Sequence, residues 1–401
     1  MASRGNTRTV RRADRSTGLR KIQGKKKVGA GRDYYDYNLL AAVILLTCFG
    51  LVMLYSTSAY EAALNYDGND AYYFTRQALI SVASIVMMLI FSQFDYHIYA
   101  RFSNYIYAIS IGFLIITRFI GREVNGARRW IYFGPISFQP SELAKLAVIL
   151  FLPCVIVKMG SKMKGFKAPC IVGAFGMLSA LCTFVFTQNL STGIIIAGIT
   201  VVLIFIVHPK TMPFMLALLA GVILVALLVW IVSGSDGLSG NFRLNRILVW
   251  LNPEEHVSEG GYQVLQGLYA IGSGGLFGKG LGNSTQKLGA LPEAQNDMIF
   301  SIICEELGVF GAAIVILLFV FLLYRLFFIA QNAPDLLGSL IASGIFAHIA
   351  LQVTLNIAVV INLIPTTGIT LPFVSYGGTA IMFLMAEMTL ALSISKQIEF
   401  K

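Results

Sequence analysis

One acidic cluster lies in the segment LPEAQNDMIFSIICEELG, where a polar stretch runs into an apolar one. At about 100° per residue on a helix, Ser301 and Glu305 fall within roughly 80° of Asp297. Glu306 points to another face. An aspartate on an enclosed polar stripe can act as a general base, but an aspartate at a helix start is also a common N-cap. Asn296 can supply that cap equally well, so the sequence leaves both interpretations of the aspartate open.

A second cluster of ionisable residues lies in the segment GREVNGARRWIYFGPISFQPSELAKLA. Glu142 and Lys145 are three residues apart after a Pro-Ser pair that is typical of a helix start, so they share one helix face. Ionisable groups at the edge of a membrane helix usually pair or line a wet cavity, and the alternative is a helix-end pair with a snorkelling lysine. The same segment carries Arg128 and Arg129, whose guanidinium groups suit an anionic ligand.

A third segment, NIAVVINLIPTTGITLPFVSYGGTA, contains two prolines and three glycines, which exclude a continuous helix. Irregular backbone at membrane depth needs protein or water to satisfy it, so we expect a re-entrant or surface-lying stretch beside a cavity. Gln352 and Asn356 lie four residues apart at its start and share a helix face. They can equally be ordinary interhelical hydrogen-bonding residues. Ser375 and Tyr376 are further polar candidates within the stretch.

The composition requires a membrane around these segments. Hydrophobic residues make up 56% of the 401 positions, charged residues make up 12%, and the mean hydropathy is +0.74. A soluble domain carries about 25% charged residues. Apolar runs of spanning length predict an all-α integral membrane fold with ten transmembrane helices. The predicted helices are Asn38–Ser56, Gln77–Phe91, Ser103–Ile120, Ser141–Val157, Ala168–Phe186, Thr192–His208, Pro213–Ser233, Met298–Phe328, Leu336–Val360 and Thr379–Ser395.

The distribution of charge sets the predicted orientation. Residues 1–36 form a strongly basic tail, which we expect to be disordered, cytoplasmic and in contact with anionic membrane lipid rather than with nucleic acid. The ten-helix domain covers residues 37–395, with a large extracellular loop at about residues 234–296 between helices 7 and 8. Residues 396–401 form a short cytoplasmic tail.

Four arginines in the segment after the third helix break this charge bias, because the topology puts them outside. Either one predicted helix is wrong, or these arginines are retained for an anionic ligand. They are Arg118, Arg122, Arg128 and Arg129. The remaining loops agree with ten helices, which favours the second explanation.

The cysteines and histidines do not indicate a metal site. The five cysteines lie in or beside apolar segments without CxxC spacing, and the four histidines are isolated, with no HExxH pattern. We therefore expect neither a disulfide framework nor a zinc site.

Four strings in this order resemble motifs of the SEDS family (shape, elongation, division and sporulation): GREVNGARRWI, SFQPSELAKL, LPEAQNDMIFSIICEELG and LPFVSYGGTA. The resemblance covers about residues 35–395 and is closest to the FtsW division branch, while a sporulation paralogue of the SpoVE type stays open. One departure is QNLST at residues 188–192, where many members have Pro-Asp-Leu-Gly-Thr.

The resemblance implies peptidoglycan glycosyltransferase activity. The substrate would be lipid II, a disaccharide pentapeptide on undecaprenyl diphosphate, and it would be polymerised into glycan strands at the division septum with inversion at the anomeric carbon. Asp297 matches the essential acidic residue of the family. The candidates for the diphosphate and its cavity are Arg128, Arg129, Glu142, Lys145, Arg243 and Arg246. The supporting polar candidates are Ser301, Glu305, Gln352, Asn356, Ser375 and Tyr376.

The family also implies partners and leaves one cofactor open. The expected partners are lipid II, a class B penicillin-binding protein of the FtsI type, other division proteins and membrane lipid. A divalent cation, Mg²⁺ or Mn²⁺, can share the binding of the diphosphate, although no dedicated carboxylate cage is visible.

Two other functions stay open as alternatives. A lipid II flippase would also place polar groups inside a bundle, but no inverted repeat is evident. A non-catalytic division scaffold would use the polar groups only to fix its helices.

Overall fold

The computed structural model describes residues 34–124, 127–134, 136–233 and 242–399. These residues form thirteen α-helices, two 3-10 turns and one small β-sheet. The helices are α1 (Tyr37–Asn65), α2 (Tyr72–Phe91), α3 (Tyr96–Arg101), α4 (Ser103–Ile120), α5 (Pro140–Met159), α6 (Lys167–Thr187), α7 (Leu190–Val207), α8 (Met212–Ser233), α9 (Phe242–Leu251), α10 (Gly261–Gly274), α11 (Ile299–Asn332), α12 (Leu336–Val360) and α13 (Gly378–Ser395).

Nine helices in the described ranges are long and apolar enough to cross a membrane, namely α1, α2, α4, α5, α6, α7, α11, α12 and α13. The predicted class of a helical membrane protein is therefore confirmed. Helix α8 coincides with the predicted seventh span, Pro213–Ser233. The count of ten crossings stays a prediction.

The helix bounds follow the apolar runs of the sequence. Helices α4 and α12 begin and end at the predicted residues. Helix α1 continues past the predicted end at Ser56 to Asn65, because alanine, leucine and glutamate in that stretch favour helix. Helices α6 and α7 are joined by Gln188 and Asn189 alone and therefore form a tight hairpin.

Three helices lie deepest in the bundle. In α5, α12 and α13, more than half of the residues in the most apolar stretch are buried, whereas the corresponding share in α2 is 22%. Polar side chains on these three helices are therefore enclosed by protein rather than by lipid. Any such side chain needs a hydrogen-bonding partner inside the bundle.

The chain is anchored just before the first span. Asp36 is fully buried, accepts a hydrogen bond from the backbone N–H of Leu39 (2.9 Å) and so caps α1. Its Oδ2 also forms an ion pair with Nη2 of Arg325 on α11 (2.7 Å). The ordered chain thus includes the last residues of the predicted tail 1–36, while residues 1–33 lie outside the described ranges.

A three-stranded antiparallel sheet follows α4 and was not predicted. Its strands are β1 (Arg122–Val124), β2 (Ala127–Phe133) and β3 (Ile136–Phe138), in the order β1-β2-β3. The all-α prediction is therefore incomplete for this segment. The strands are too short for a clear alternation of polar and apolar residues. The available sequence signal was the Asn-Gly pair between β1 and β2, which is typical of hairpins.

Helix α11 is broken at Gly308, where the sequence predicted an uninterrupted helix. Gly308 has φ 69° and ψ −170°, and a Cβ atom there would overlap the backbone of Gly278. The loop that contains Gly278 enters the break. The N–H of Lys279 donates to the carbonyl of Glu305 (2.9 Å), and the N–H of Val309 donates to a loop carbonyl (3.0 Å). The loop therefore satisfies the backbone groups that the break exposes.

The predicted large loop contains secondary structure of its own. Within the interval 234–296, the described residues begin at 242 and include α9, α10 and a glycine-rich series of turns. Helix α10 packs against α11, and a Cβ atom on Gly274 would overlap the carbonyl of Cys304. The glycine at this position allows the close approach that brings the loop to the start of α11.

Candidate active site

Asp297 lies two residues before α11 and does not cap it. The N-cap position belongs to Met298, which makes no side-chain capping hydrogen bond. Asp297 is half-buried, and its Oδ1 atom is inaccessible to solvent without a hydrogen-bond partner in the described part of the chain. A buried carboxylate oxygen without a donor is costly, so it is typical of a functional position rather than a structural one. The capping interpretation of this aspartate is therefore wrong.

The environment of Asp297 makes it a better base than an exposed aspartate. Burial, and after it the nearby negative charge of Glu293, raise the pKa of Asp297, which is about 7. The cations Arg246 and Arg129 act in the opposite direction. A carboxylate with a pKa near neutrality is about half in its basic form at neutral pH, and that form accepts a proton more readily than an aspartate at its usual pKa.

Two arginines from distant parts of the chain lie in electrostatic reach of Asp297. Arg129 extends from β2 and donates from Nη2 to the carbonyl of Gln188 (3.4 Å), while its Nε is buried and unpaired among the described residues. Burial and the neighbouring charge of Arg246 lower the pKa of Arg129. Arg246 extends from α9 and donates to the carbonyl of Thr366 (3.0 Å). The site thus pairs a basic carboxylate with two guanidinium groups.

Helix α12 fixes the backbone around the aspartate. The Nδ2 group of Asn356 donates to the carbonyl of Asp297 (2.9 Å) and to the carbonyl of Ile369 (2.7 Å). One turn earlier, Nε2 of Gln352 donates to the carbonyl of Thr370 (3.0 Å). The two amides share a helix face, as predicted, and both bind the irregular segment between α12 and α13. They therefore hold this segment against the aspartate.

The irregular segment passes close to the aspartate at a glycine. Gly368 has φ +71°, and a Cβ atom there would lie 3.9 Å from Oδ2 of Asp297. Ser375 stabilises the end of the segment, where its Oγ accepts from the N–H of Leu371 (2.8 Å). Tyr376 donates its backbone N–H to the carbonyl of Gln295 (2.9 Å). The predicted irregular stretch is therefore present and forms one wall of the site.

Glu142 and Lys145 form the predicted pair on α5, at 2.9 Å between Oε2 and Nζ. The Nζ group also donates to Oε1 of Gln352 (2.9 Å). The same oxygen contacts Nε2 of His348 (2.8 Å), whose Nδ1 contacts Glu387 (2.8 Å). All five side chains are buried, so Lys145 serves an internal polar network. Gln352 links this network to the site, because its Nε2 donates to the carbonyl of Thr370 in the irregular segment.

The two adjacent arginines of β2 have different partners, and a β-bulge interrupts the pairing of β1 with β2 at this point. Arg129 interacts electrostatically with Asp297. Arg128 is 43% exposed, lies 3.7 Å from Oε2 of Glu123 and borders a separate cavity of about 270 Å³. The two arginines were predicted to form one diphosphate site, but in the structure they have different partners. The side chain of Arg243 lies outside the described part of the chain.

The carboxylates of α11 have partners of their own. Glu305 binds Nζ of Lys279 (2.7 Å) and the N–H of Thr285 (3.1 Å). Glu306, which helical spacing placed on another face, is equally buried and binds Nζ of Lys287 (2.7 Å). Glu305 therefore binds the glycine-rich loop and does not share one polar stripe with Asp297. Ser301 lies close to α10, because a Cβ atom on Gly267 would be only 3.2 Å from the Oγ of Ser301.

The described residues near Asp297 do not form a preformed metal site. Among the described residues, no group of three or more His, Cys, Asp or Glu side chains lies close enough to hold a metal ion. Divalent cations such as Mg²⁺ prefer an octahedron of oxygen ligands, whereas the neighbours of this aspartate include two guanidinium groups.

Comparison with known proteins places the chain in a family. The family model described as "Cell cycle protein", which covers FtsW, RodA and SpoVE, matches residues 36–399. The chain belongs to the FtsW, RodA and SpoVE family. It is 38% identical to Stage V sporulation protein E of Bacillus subtilis (strain 168), covering 90% of this chain and 97% of that protein. It is 36% identical to the Probable peptidoglycan glycosyltransferase FtsW of the same organism, covering 91% of this chain and 92% of the relative.

Two solved structures have a similar fold. A chain from the study "Structural coordination of polymerization and crosslinking by a peptidoglycan synthase complex" matches with a TM-score of 0.75 and 25% identity, covering 92% of this chain and 99% of that one. The rod shape determining protein RodA of Thermus thermophilus matches with a TM-score of 0.61 and 23% identity, covering 92% and 98%. The second likeness shows the shared fold.

The departure from the family motif at residues 188–192 has a structural explanation. Asn189 accepts a hydrogen bond from the N–H of Thr192 (3.1 Å) and caps α7. An aspartate caps a helix in the same way, so the asparagine preserves this contact. Ser191, where many members of the family have glycine, donates to the carbonyl of Thr367 (2.6 Å) in the irregular segment.

The sequence missed several residues of the site and its surroundings. Glu293 shapes the charge around the aspartate, and Gly368 lies against it. His348 and Glu387 complete the buried network, although they are 39 positions apart in the sequence. The available signal was Glu387 itself, because a carboxylate inside an apolar span of this family is expensive and usually functional.

Proposed function

We propose that this chain is a peptidoglycan glycosyltransferase that polymerises lipid II into glycan strands. Several curated relatives carry the name Probable peptidoglycan glycosyltransferase FtsW and match about nine-tenths of this chain. The observation that carries the proposal is the buried and unpaired Oδ1 of Asp297, whose carboxyl has a pKa of about 7 and faces two arginines. A structural aspartate would instead be paired or exposed.

The reaction needs one base. The hydroxyl oxygen of the acceptor sugar attacks the anomeric carbon of the donor, and the bond between that carbon and the diphosphate oxygen breaks. Asp297 accepts the hydroxyl proton, and the electron pair leaves with undecaprenyl diphosphate. Attack from the opposite face converts the α-linked donor into a β-linked product in one inversion, so no covalent enzyme intermediate is required. The pKa of about 7 makes this proton transfer effective at neutral pH.

The leaving diphosphate needs positive charge. Arg129 and Arg246 are the best candidates, because both interact electrostatically with Asp297 and belong to separate elements that converge on it. Guanidinium groups bind phosphate oxygens in a bidentate manner and stabilise the charge that develops during bond cleavage. Lys145 is engaged by Glu142 and Gln352, so we assign it a supporting role. A divalent cation has no step in this mechanism.

The cellular setting follows from the relatives and from charge. The matched peptidoglycan synthase complex joins polymerisation to crosslinking, which supports a class B penicillin-binding protein of the FtsI type as the partner of this chain. We place both termini in the cytoplasm and Asp297 at the outer end of the bundle, where lipid II is presented. Concentration at the division septum, together with other division proteins, belongs to the same proposal.

One reconstitution separates this function from its alternatives. The full-length protein and its penicillin-binding partner are placed in lipid vesicles that carry fluorescent lipid II, and both glycan chains and lipid II transfer between leaflets are measured. The proposal predicts chains. Transfer without chains would instead identify a flippase. Neither activity, with normal division in cells that carry Asp297→Asn, would identify a scaffold.

A further inference from the structure

A second cavity lies at the end of the bundle opposite the β-sheet. It has a volume of about 970 Å³ and is formed by the start of α4, the last turns of α5, the 3-10 turn Gly160–Lys164 and the start of α6. Helix α4 runs from this end to β1, and α5 returns from β3, so the cavity is remote from Asp297. Its size is at the upper end of the roughly 300–1,000 Å³ that is typical of ligand pockets.

The lining of this cavity divides into an apolar wall and a cationic rim. The wall includes Phe151, Val155, Ile171 and Phe175. The exposed rim carries Arg101, Lys158, Lys162 and Lys167. No aspartate or glutamate is among the lining residues. The cavity is thus amphipathic, with one sign of charge.

The rim cations have no counter-charge of their own. None of the four side chains forms a hydrogen bond or ion pair with any residue that the structure describes, whereas the side chains of Lys145, Lys279 and Lys287 are all paired. Like charges around one opening repel each other, and an anion between them would relieve that repulsion. The preference of cytoplasmic loops for lysine explains basic residues here, but it does not explain a ligand-sized cavity between them.

We propose that this cavity binds an anionic membrane phospholipid. The phosphate diester would lie among Arg101, Lys158 and Lys162, and one acyl chain would lie along the wall of Phe151 and Phe175. The combination selects this occupant by complementarity. A soluble phosphate would leave the apolar wall against water, and a zwitterionic lipid would leave the net positive charge uncompensated.

The test measures lipid binding to the purified full-length protein by native mass spectrometry. Dioleoyl phosphatidylglycerol and dioleoyl phosphatidylcholine are titrated separately. We expect tighter binding of phosphatidylglycerol, and we expect the double variant Lys158→Gln with Lys162→Gln to bind it roughly tenfold more weakly. The matched control is Lys164→Gln with Lys210→Gln, which removes the same charge from exposed lysines that do not line the cavity and should leave the affinity unchanged.

Two further experiments distinguish a lipid headgroup from a free phosphate. Ile171→Trp places a larger apolar side chain in the cavity without a change in charge and should weaken phosphatidylglycerol binding. Glycerophosphoglycerol, the headgroup without acyl chains, should compete poorly. Equal binding of phosphatidylcholine, equal losses in the two lysine pairs, or full competition by the free headgroup would each overturn the proposal. Melting temperatures in detergent without added lipid check that every variant is folded.

Discussion

Asn356 donates one side-chain amide to two backbone carbonyls, those of Asp297 (2.9 Å) and Ile369 (2.7 Å). This contact joins the segment before α11 to the irregular segment after α12. The carboxylate therefore keeps its position although it lies outside any helix. The site depends on this bridge, because the buried Oδ1 of the aspartate has no partner of its own among the described residues.

Replacement of this bridge should lower turnover more than substrate binding. Asn356→Ala removes both hydrogen bonds and leaves two buried carbonyls unsatisfied, which costs about 1–3 kcal/mol per group in stability. We expect kcat for lipid II polymerisation to fall while KM changes little, because the base is displaced and the diphosphate cations remain. The control Ser343→Ala removes a hydrogen bond within the same helix and should leave both constants unchanged. A change in KM alone would contradict this role.

The pH dependence of activity should report the aspartate. The base is active when deprotonated, so the rate rises with pH through the pKa of Asp297, about 7. Glu293→Gln removes a negative neighbour that raises this pKa, so the acid limb should move to lower pH. Glu254→Gln changes an exposed carboxylate and should leave the profile in place. Identical profiles in all three proteins would show that another group controls the rate.

The adjacent arginines of β2 provide a matched pair. Arg129→Gln removes a cation that lowers the pKa of the aspartate and is proposed to hold the diphosphate, so the acid limb should move to higher pH. We expect the rate near pH 8 to fall by about a hundredfold. Arg128→Gln changes the arginine that lies beside Glu123 and should retain most of the activity. A larger loss in the Arg128 variant would reverse our assignment of the two residues.

The buried pair of Lys287 and Glu306 should stabilise the glycine-rich loop against α11. Their atoms are 2.7 Å apart, with side-chain exposures of 8% and 0%. Loss of one partner leaves a buried charge and should cost about 3–5 kcal/mol, whereas the double variant Lys287→Met with Glu306→Gln should cost less than the sum of the two single changes. Unfolding in denaturant measures all three variants, and strict additivity would exclude a direct pair.

Helix positions were predictable because a helix that spans the membrane needs an apolar run as long as the membrane is thick. The ends of α4 and α12 coincide with the predicted residues. The break at Gly308 was not predictable in the same way. It depends on a loop 30 positions earlier, at Gly278, that supplies backbone hydrogen bonds to the gap. Hydropathy carries no information about such long-range contacts.

The site was predictable in its residue types and less so in its pairings. Helical spacing correctly paired Glu142 with Lys145, since both lie on one regular element. Arg128 and Arg129 were grouped because they are adjacent, but they lie at a β-bulge and have different partners, Glu123 and the carbonyl of Gln188. Spacing on an ideal helix also linked Asp297 to Glu305, whereas the helix begins only at Ile299. Tertiary partners, which no local pattern records, decided the remaining contacts.

The most direct test of the account compares polymerisation of labelled lipid II by the wild-type protein and by Asp297→Asn, each with its penicillin-binding partner. The amide keeps the shape of the side chain but cannot accept the proton, so we predict a rate at least about a hundredfold lower. The variant should stay folded and, above pH 7, should be as stable as the wild type or more so. A folded Asp297→Asn protein that makes glycan chains at the wild-type rate would contradict the proposed mechanism.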